Sequence, residues 1–262
     1  MAVIIDAHAH LVRSDYGSYA RYLKQLAEAG IDAGVAVPGG MVDVRRLTDY
    51  VTGRLEPSTE PPDNEYVADA VRAHPKKLVG FYCVDPHADG AVESLAAAFE
   101  AGWRGLKLSP LSHRFSFSGR AVAELVECAE AFGLPVYAHV LFSPGVSTEK
   151  FASLARQFPT VPFILGHMGF GPADPEAIQA AVELDNVFLE TSTGNFLHLA
   201  LAVEKAGASK VIFGSEFPLS HPKVELEKVL RLRLPASAEE RVLGRNIYEL
   251  CRLDEVWEGK GR

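Results

Sequence analysis

Eight short apolar runs, each followed by a stretch with helical spacing, recur along this 262-residue chain without a break in composition. The runs occupy residues 3–10, 32–38, 78–84, 103–108, 134–140, 161–167, 187–191 and 210–216. Helical spacing is read at 19–29, 65–73, 91–101, 120–132, 148–157, 175–184, 196–206, 224–233 and 236–250, with Gly30, Gly102 and Gly133 as stops. Strand alternating with helix predicts a parallel sheet with helices outside it. Eight such units in about 250 residues predict a closed barrel rather than an open sheet. No Gly-x-Gly-x-x-Gly follows the first run, which removes the main reason to expect a dinucleotide-binding fold. The expectation is an α/β protein forming one (β/α)8 TIM-barrel domain over 1–262. It has a long loop after strand 2, from 39 to about 64, and an extra C-terminal helix. A connection of that length inside a compact chain is usually functional or disordered.

The strand ends carry the chemistry. The first run closes on His8-Ala9-His10, and side chains two apart on a strand share a face. His139 stands near the end of strand 5, His167 at the end of strand 6 and Glu216 at the end of strand 8. In such barrels the active site lies at the C-terminal mouth. Five metal-competent side chains from four strands are thus expected at one mouth. Buried imidazoles and carboxylates cost free energy unless paired or ligated, so packing alone explains this placement poorly.

Partners are bounded by composition. The formal net charge is −8 with no basic stripe, which argues against nucleic acid. No apolar run approaches the roughly 20 residues of a membrane span. Cys83, Cys128 and Cys251 are odd in number and far apart, and fit a reducing compartment. With Asp6 interrupting the N-terminal apolar run, no secretory signal is read. The expectation is a cytoplasmic protein acting on a small molecule; a homodimer through outer helices is compatible with the fold.

The chain resembles the amidohydrolase superfamily, in its amidohydrolase-related (amidohydrolase 2) branch of metal-dependent hydrolases and decarboxylases. The resemblance runs over nearly the whole length. It is carried by residues 5–10 (Ile-Asp-Ala-His-Ala-His), 105–108 (Gly-Leu-Lys-Leu), 135–139, 164–169 (Ile-Leu-Gly-His-Met-Gly), 213–218 (Phe-Gly-Ser-Glu-Phe-Pro) and 242–246. It implies one divalent metal ion, zinc first, with Mn, Fe and Ni also suited to such ligands. It makes His8, His10 and His139 metal ligands, with His167 touching a second metal or polarising the attacking water or substrate. Strand 8 usually ends in Asp; here Glu216 is read as metal ligand and catalytic base. The extra methylene, about 1.5 Å, leaves open a weakened site or a carboxylate that only orients a histidine. Lys107 falls where two-metal members carry a carbamylated bridge. It is read instead as a plain ammonium paired with Glu190 or Asp85 and facing substrate.

The implied function is a metal-dependent hydrolase of an amide, cyclic imide or lactone, using a metal-activated water, with His167 and Glu216 catalytic. The alternative is a metal-dependent non-oxidative decarboxylase of an aromatic or dienoic acid. A third reading is a barrel without catalysis that acts as a binding protein. His113 and Arg114, in the loop after strand 4, join Lys107 as candidate substrate-binding residues, since an Arg fork binds carboxylates. Arg45, Arg46 and Arg54 lie on the long loop. His87 and His221 are read as rim residues, and His74 and His198 carry no assigned role.

Overall fold

The computed structural model describes residues 3–171 and 173–257. Nine short parallel strands line the barrel: β1 (Ile5–Leu11), β2 (Ala33–Pro38), β3 (Leu78–Gly80), β4 (Tyr82–Cys83), β5 (Leu106–Leu108), β6 (Val136–Ala138), β7 (Phe163–Leu165), β8 (Val187–Glu190) and β9 (Val211–Ile212). β3 and β4 are the two halves of the third barrel strand, split at Phe81. The first half pairs with β2 and the second with β5, so the ladders form sheets of three and six strands. The regular ladder therefore does not run all the way round. At the last seam, between β9 and β1, backbone hydrogen bonds cross instead: Ala7 N to Phe213 O (2.9 Å), Glu216 N to His8 O (2.9 Å) and His10 N to Phe217 O (2.6 Å).

The strands are nearly continuous runs of buried residues, as expected when both faces of a parallel sheet are covered. Ile5, Val35, Val79, Phe81, Tyr137, Ile164 and Ile212 form one buried cluster. Ile247, Cys251 and Leu253 of the closing segment join it. A larger cluster lies between strands and helices and includes Tyr22, Leu26, Val67, Leu95, Leu125 and Phe151. The helix Tyr19–Ala29 shows how local sequence sets these elements. Ser18 caps its first turn, Gly30 ends it at φ 73°, and Tyr22 and Leu26 are buried.

A register shift in β1 between Asp6 and Ala9 inserts one extra residue against β2. Ile5 and Ala7 belong to the first cluster, whereas Ala9 and Leu11 belong to the second. The bulge thus exchanges the faces of the strand midway. Asp6 turns towards Tyr22 on the first helix, while His8 stacks on Tyr137.

The long loop after β2 contains a tight turn at Val44–Arg46 and the helix Leu47–Val51, leading to the helix Asn64–Ala73. The helix expected over 236–250 has three parts: Ala236–Glu240, a wide π-turn at Arg241–Arg245, and Asn246–Leu250. Among the described residues no helix is long and apolar enough to cross a membrane. Cys83, Cys128 and Cys251 are free.

Gly34 on β2 is required by packing, because a Cβ there would overlap the hydroxyl of the fully buried Tyr22. Tyr22 cannot retreat without giving up its 2.8 Å hydrogen bond to Asp6. Gly34→Ala is expected to lower stability by about 1–3 kcal/mol, the usual cost of overpacking a filled core. The shift of the denaturant midpoint at unchanged slope measures it, and no shift would show that Tyr22 has room to move.

Candidate metal centre

The strand ends meet, but not all as strand residues. β6, β7 and β9 are shorter than the apolar runs suggested, so His139, His167 and Glu216 lie in the turns beyond them. His167 and Glu216 have φ of 60° and 56°, in the left-handed region that L-residues seldom adopt. Period-two alternation does not govern such residues, so their directions could not be read from spacing. Backbone held in this region costs of order 1–3 kcal/mol and tends to cluster at functional sites.

Four side chains gather into one group: His8, His10, His139 and Glu216 place a donor atom each within 4.8 Å of one another. Nε2 of His8 lies 3.0 Å from Nε2 of His10 and 3.2 Å from Nε2 of His139. Glu216 Oε2 is 2.8 Å from His8 Nε2, and its Oε1 is 3.3 Å from His10 Nε2. The longer carboxylate therefore reaches the histidines, with its backbone in the left-handed region. His167 stands beside the four, Nε2 at 3.6 Å from Glu216 Oε2, its ring stacked on His139 at 4.5 Å between centroids.

Electrostatics decide what these contacts are. Burial, with Lys107 as the next contributor, holds the imidazoles of His8 and His139 well below the usual histidine range, in the neutral form. Burial pushes the Glu216 carboxyl up, but the imidazoles of His167, His8, His10 and His139 outweigh it and hold it well below the usual carboxylate range. No donor is correctly aimed at Glu216 Oε2 despite its burial. Three imidazole nitrogens and a carboxylate thus crowd into one buried site, with Lys107 Nζ beside two of them, a donor set of the kind that holds a divalent ion. Zinc bonds of about 2.0–2.1 Å would set ligand nitrogens about 3.3 Å apart in a tetrahedron, close to the separations found. The donor set fits one divalent ion.

The residues behind the centre fix its geometry. Asp6 is fully buried and accepts from Tyr22 Oη (2.8 Å), Ser215 N (2.8 Å), His8 N (3.1 Å) and Ser215 Oγ. It ties the first helix, β1 and the turn carrying Glu216 to one carboxyl group. Burial pushes that carboxyl up to about 7, with those hydrogen bonds opposing. Tyr137 stacks on His8 at 4.2 Å and donates to Glu190 Oε2 at 2.7 Å. Sequence reasoning assigned no role to Asp6, Tyr22, Tyr137, Ser192 or Ser215. The available signals were a carboxylate inside an apolar run and the polar tail Glu190-Thr191-Ser192 on strand 7.

Lys107 is buried, with Nζ 2.9 Å from His139 Nε2 and 3.5 Å from His8 Nε2, over the ring of Tyr137. The ion pair expected with Glu190 or Asp85 does not form. Glu190 is occupied by Tyr137 and Ser192, and Asp85 accepts from His87 N. Burial pushes the Lys107 ammonium down to about 7, against the attraction of Glu216.

His113 and Arg114 are not drawn into this group. They line a neighbouring cleft of 1020 Å³ with Glu56 and Asp85. Arg114 is two-thirds exposed and paired with Glu56. The loop arginines are likewise spent locally, Arg45 on Asp43, and Arg46 and Arg54 on Asp49. The cavity directly over the centre is only 60 Å³, lined by His10, His139 and Glu216 and roofed by Met41, Val42, Leu47 and Leu111.

The family model described as Amidohydrolase matches residues 5–253. No curated protein matches the chain. Solved structures agree over nearly all of it at low identity. An uncharacterised TIM-barrel protein from Bordetella bronchiseptica superposes with a TM-score of 0.75 at 19% identity, covering 94% of this chain and 97% of that one. A dihydroxybenzoic acid decarboxylase from Polaromonas, with bound manganese and the inhibitor 2-nitroresorcinol, gives 0.70 at 18%, covering 97% and 98%. A probable 2-pyrone-4,6-dicarboxylic acid hydrolase from Acinetobacter baumannii, with citric acid bound, gives 0.68 at 16%, covering 95% and 99%.

Proposed function

This chain belongs to the amidohydrolase family, and on that premise we propose that it is a metal-dependent hydrolase of a small molecule with an amide, cyclic imide or lactone bond. The observation that carries the reading is the group of three imidazole nitrogens and one carboxylate oxygen within 4.8 Å of one another at the barrel mouth. His8, His10, His139 and Glu216 would hold one divalent ion, zinc by the nature of the donors. A bound ion of this kind lowers the pKa of water and polarises a carbonyl. His167 Nε2 takes the proton of the attacking water and returns it to the leaving nitrogen or oxygen, with Glu216 beside it as the second acceptor. Lys107 Nζ, beside the Nε2 atoms of His139 and His8, holds a substrate oxygen. His113 and Arg114 read the far end of the substrate from the neighbouring cleft.

The 60 Å³ cavity falls far below the roughly 300–1,000 Å³ of small-molecule pockets. Met41, Val42 and Leu47 must therefore move aside for substrate to enter, which makes the loop after β2 a lid. Its apolar underside suits the body of the substrate. The three free cysteines fit a cytoplasmic location.

A second reading, non-oxidative decarboxylation of an aromatic or dienoic acid, is supported by the decarboxylases among the fold neighbours. There a carbon–carbon bond breaks, CO₂ leaves, and a proton taken up from water and passed on by His167 replaces it on carbon. Release of CO₂ from a test acid separates the two.

Metal content by plasma mass spectrometry tests the centre itself. About one ion per chain is expected in the parent and in Glu216→Asp. Two per chain would assign Lys107 a bridging role, and none in the parent would sink the metal-dependent reading.

A further inference from the structure

The reading of His167 as proton acceptor leaves open which of its nitrogens carries the hydrogen, and the hydrogen bonds behind it answer this. His167 Nδ1 lies 2.9 Å from Ser192 Oγ. Ser192 Oγ in turn donates to Glu190 Oε2 at 2.8 Å. A hydroxyl has a single hydrogen, so an oxygen that gives it to a carboxylate meets its other neighbour as an acceptor. Glu190 is fully buried and surrounded by donors. Its Oε1 accepts from Ser192 N at 2.6 Å, and its Oε2 from Tyr137 Oη at 2.7 Å and His167 N at 3.3 Å. The two backbone N–H groups cannot reverse, so they hold both oxygens as acceptors. A Cβ on Gly214 would overlap Glu190 Oε1, so glycine at that position makes the space in which the carboxylate sits.

We propose that Glu190, acting through Ser192, is a positioning residue that fixes His167 as the Nδ1–H tautomer and so leaves the lone pair on Nε2, the nitrogen on the side of Glu216. The inference rests on the reading of His167 given above and deepens it. A histidine held this way accepts a proton at Nε2 and cannot begin the reaction as a donor there. Once protonated at Nε2 it becomes a cation, stabilised through Ser192 by the carboxylate of Glu190, and can return the proton in the second half of the reaction.

The relay has a directional consequence. In Glu190→Gln the amide keeps its oxygen on Ser192 N, the shorter of its two backbone contacts. Its NH₂ then takes the place of Oε2 and donates to Ser192 Oγ. The hydroxyl hydrogen is turned onto His167 Nδ1, and the imidazole must move its own hydrogen to Nε2. Ser192→Ala removes the hydroxyl altogether and leaves neither tautomer favoured.

The test is a long-range ¹H–¹⁵N spectrum of zinc-loaded protein labelled in its histidine rings, recorded above the usual imidazole pKa. The parent is expected to show His167 protonated at Nδ1 and bare at Nε2. Glu190→Gln is expected to show the reverse, and Ser192→Ala a mixture. An Nε2–H tautomer in the parent overturns the proposal, as does an unchanged Nδ1–H signal in both variants. Zinc stoichiometry on the same samples tests the metal centre separately. A parent that takes up no zinc refutes that reading, while the tautomer still decides the relay.

Discussion

Stripping the bound metal with a chelator lowers the melting temperature of the parent protein by roughly 8–16 °C, and leaves His139→Ala where it already stands. The size follows from linkage. A ligand that binds only the native state at about a thousand times its dissociation constant adds about 4 kcal/mol to stability. For a chain near this length each kcal/mol moves the midpoint by roughly 2–4 °C. The sign follows from the centre itself. Imidazole Nε2 atoms stand 3.0 and 3.2 Å apart with Glu216 Oε2 2.8 Å from one of them, so one bound ion would tie strand 1, the turn after β6 and the turn after β9 together. His139 is the proposed ligand to remove because its side chain is partly exposed, whereas His8 is fully buried and stacked on Tyr137. Calorimetric scans with and without chelator make the measurement. Equal shifts in parent and variant would mean that the metal sits elsewhere, and no shift in the parent would mean that the four residues hold none.

Asp6→Ala has a comparable effect by a different route. The carboxyl is fully buried and accepts four hydrogen bonds, from a helix side chain, from its own strand and twice from Ser215. Alanine leaves two backbone N–H groups and two hydroxyls without an acceptor. A buried donor left unmade costs about 1–3 kcal/mol, less where a hydroxyl can turn to a new partner. The expected loss is about 3–5 kcal/mol, near the upper end for a single substitution. Metal affinity falls with it, since Ser215 is the residue before Glu216. Asp6→Asn keeps one acceptor oxygen and the shape of the site, so it should lose about half as much. Denaturant unfolding of the two variants provides the comparison. If Asn proves as damaging as Ala, charge rather than the number of accepted bonds is what matters at this position.

Much of the barrel was legible because parallel strands buried on both faces appear as uninterrupted apolar runs, and helix stops such as Gly30 and Gly133 carry their own conformational signature. The long loop after strand 2 was also legible, as a polar, proline-bearing stretch too long for an ordinary connection. The split of the third strand at Phe81 was not, because Phe81 is as apolar as its neighbours. Nor was the partnering of charges. Lys107 stands among histidines instead of beside a carboxylate, and Arg114 is already neutralised by Glu56 on the neighbouring loop. Ion pairing depends on which loops meet in space, and no spacing along the chain records that.

By itself the sequence determined that strands and helices alternate eight times, and that His8, His10, His139, His167 and Glu216 fall at strand ends on one side of the sheet. Residue type and order are enough for that, because hydrophobic burial sets strand positions and a parallel barrel puts all C-terminal ends at one mouth. Tertiary structure alone decided how those side chains are aimed. The extra residue in β1 exchanges its faces between Asp6 and Ala9, so that Asp6 binds Tyr22 behind the wall while His8 and His10 reach the mouth. The left-handed backbone at His167 and Glu216 turns both towards that centre. A bulge and a positive φ are held in place by contacts from distant parts of the chain, such as Ser215 N on Asp6 and Glu190 beneath His167. Their cost is met by the assembled fold, which is why local sequence does not announce them.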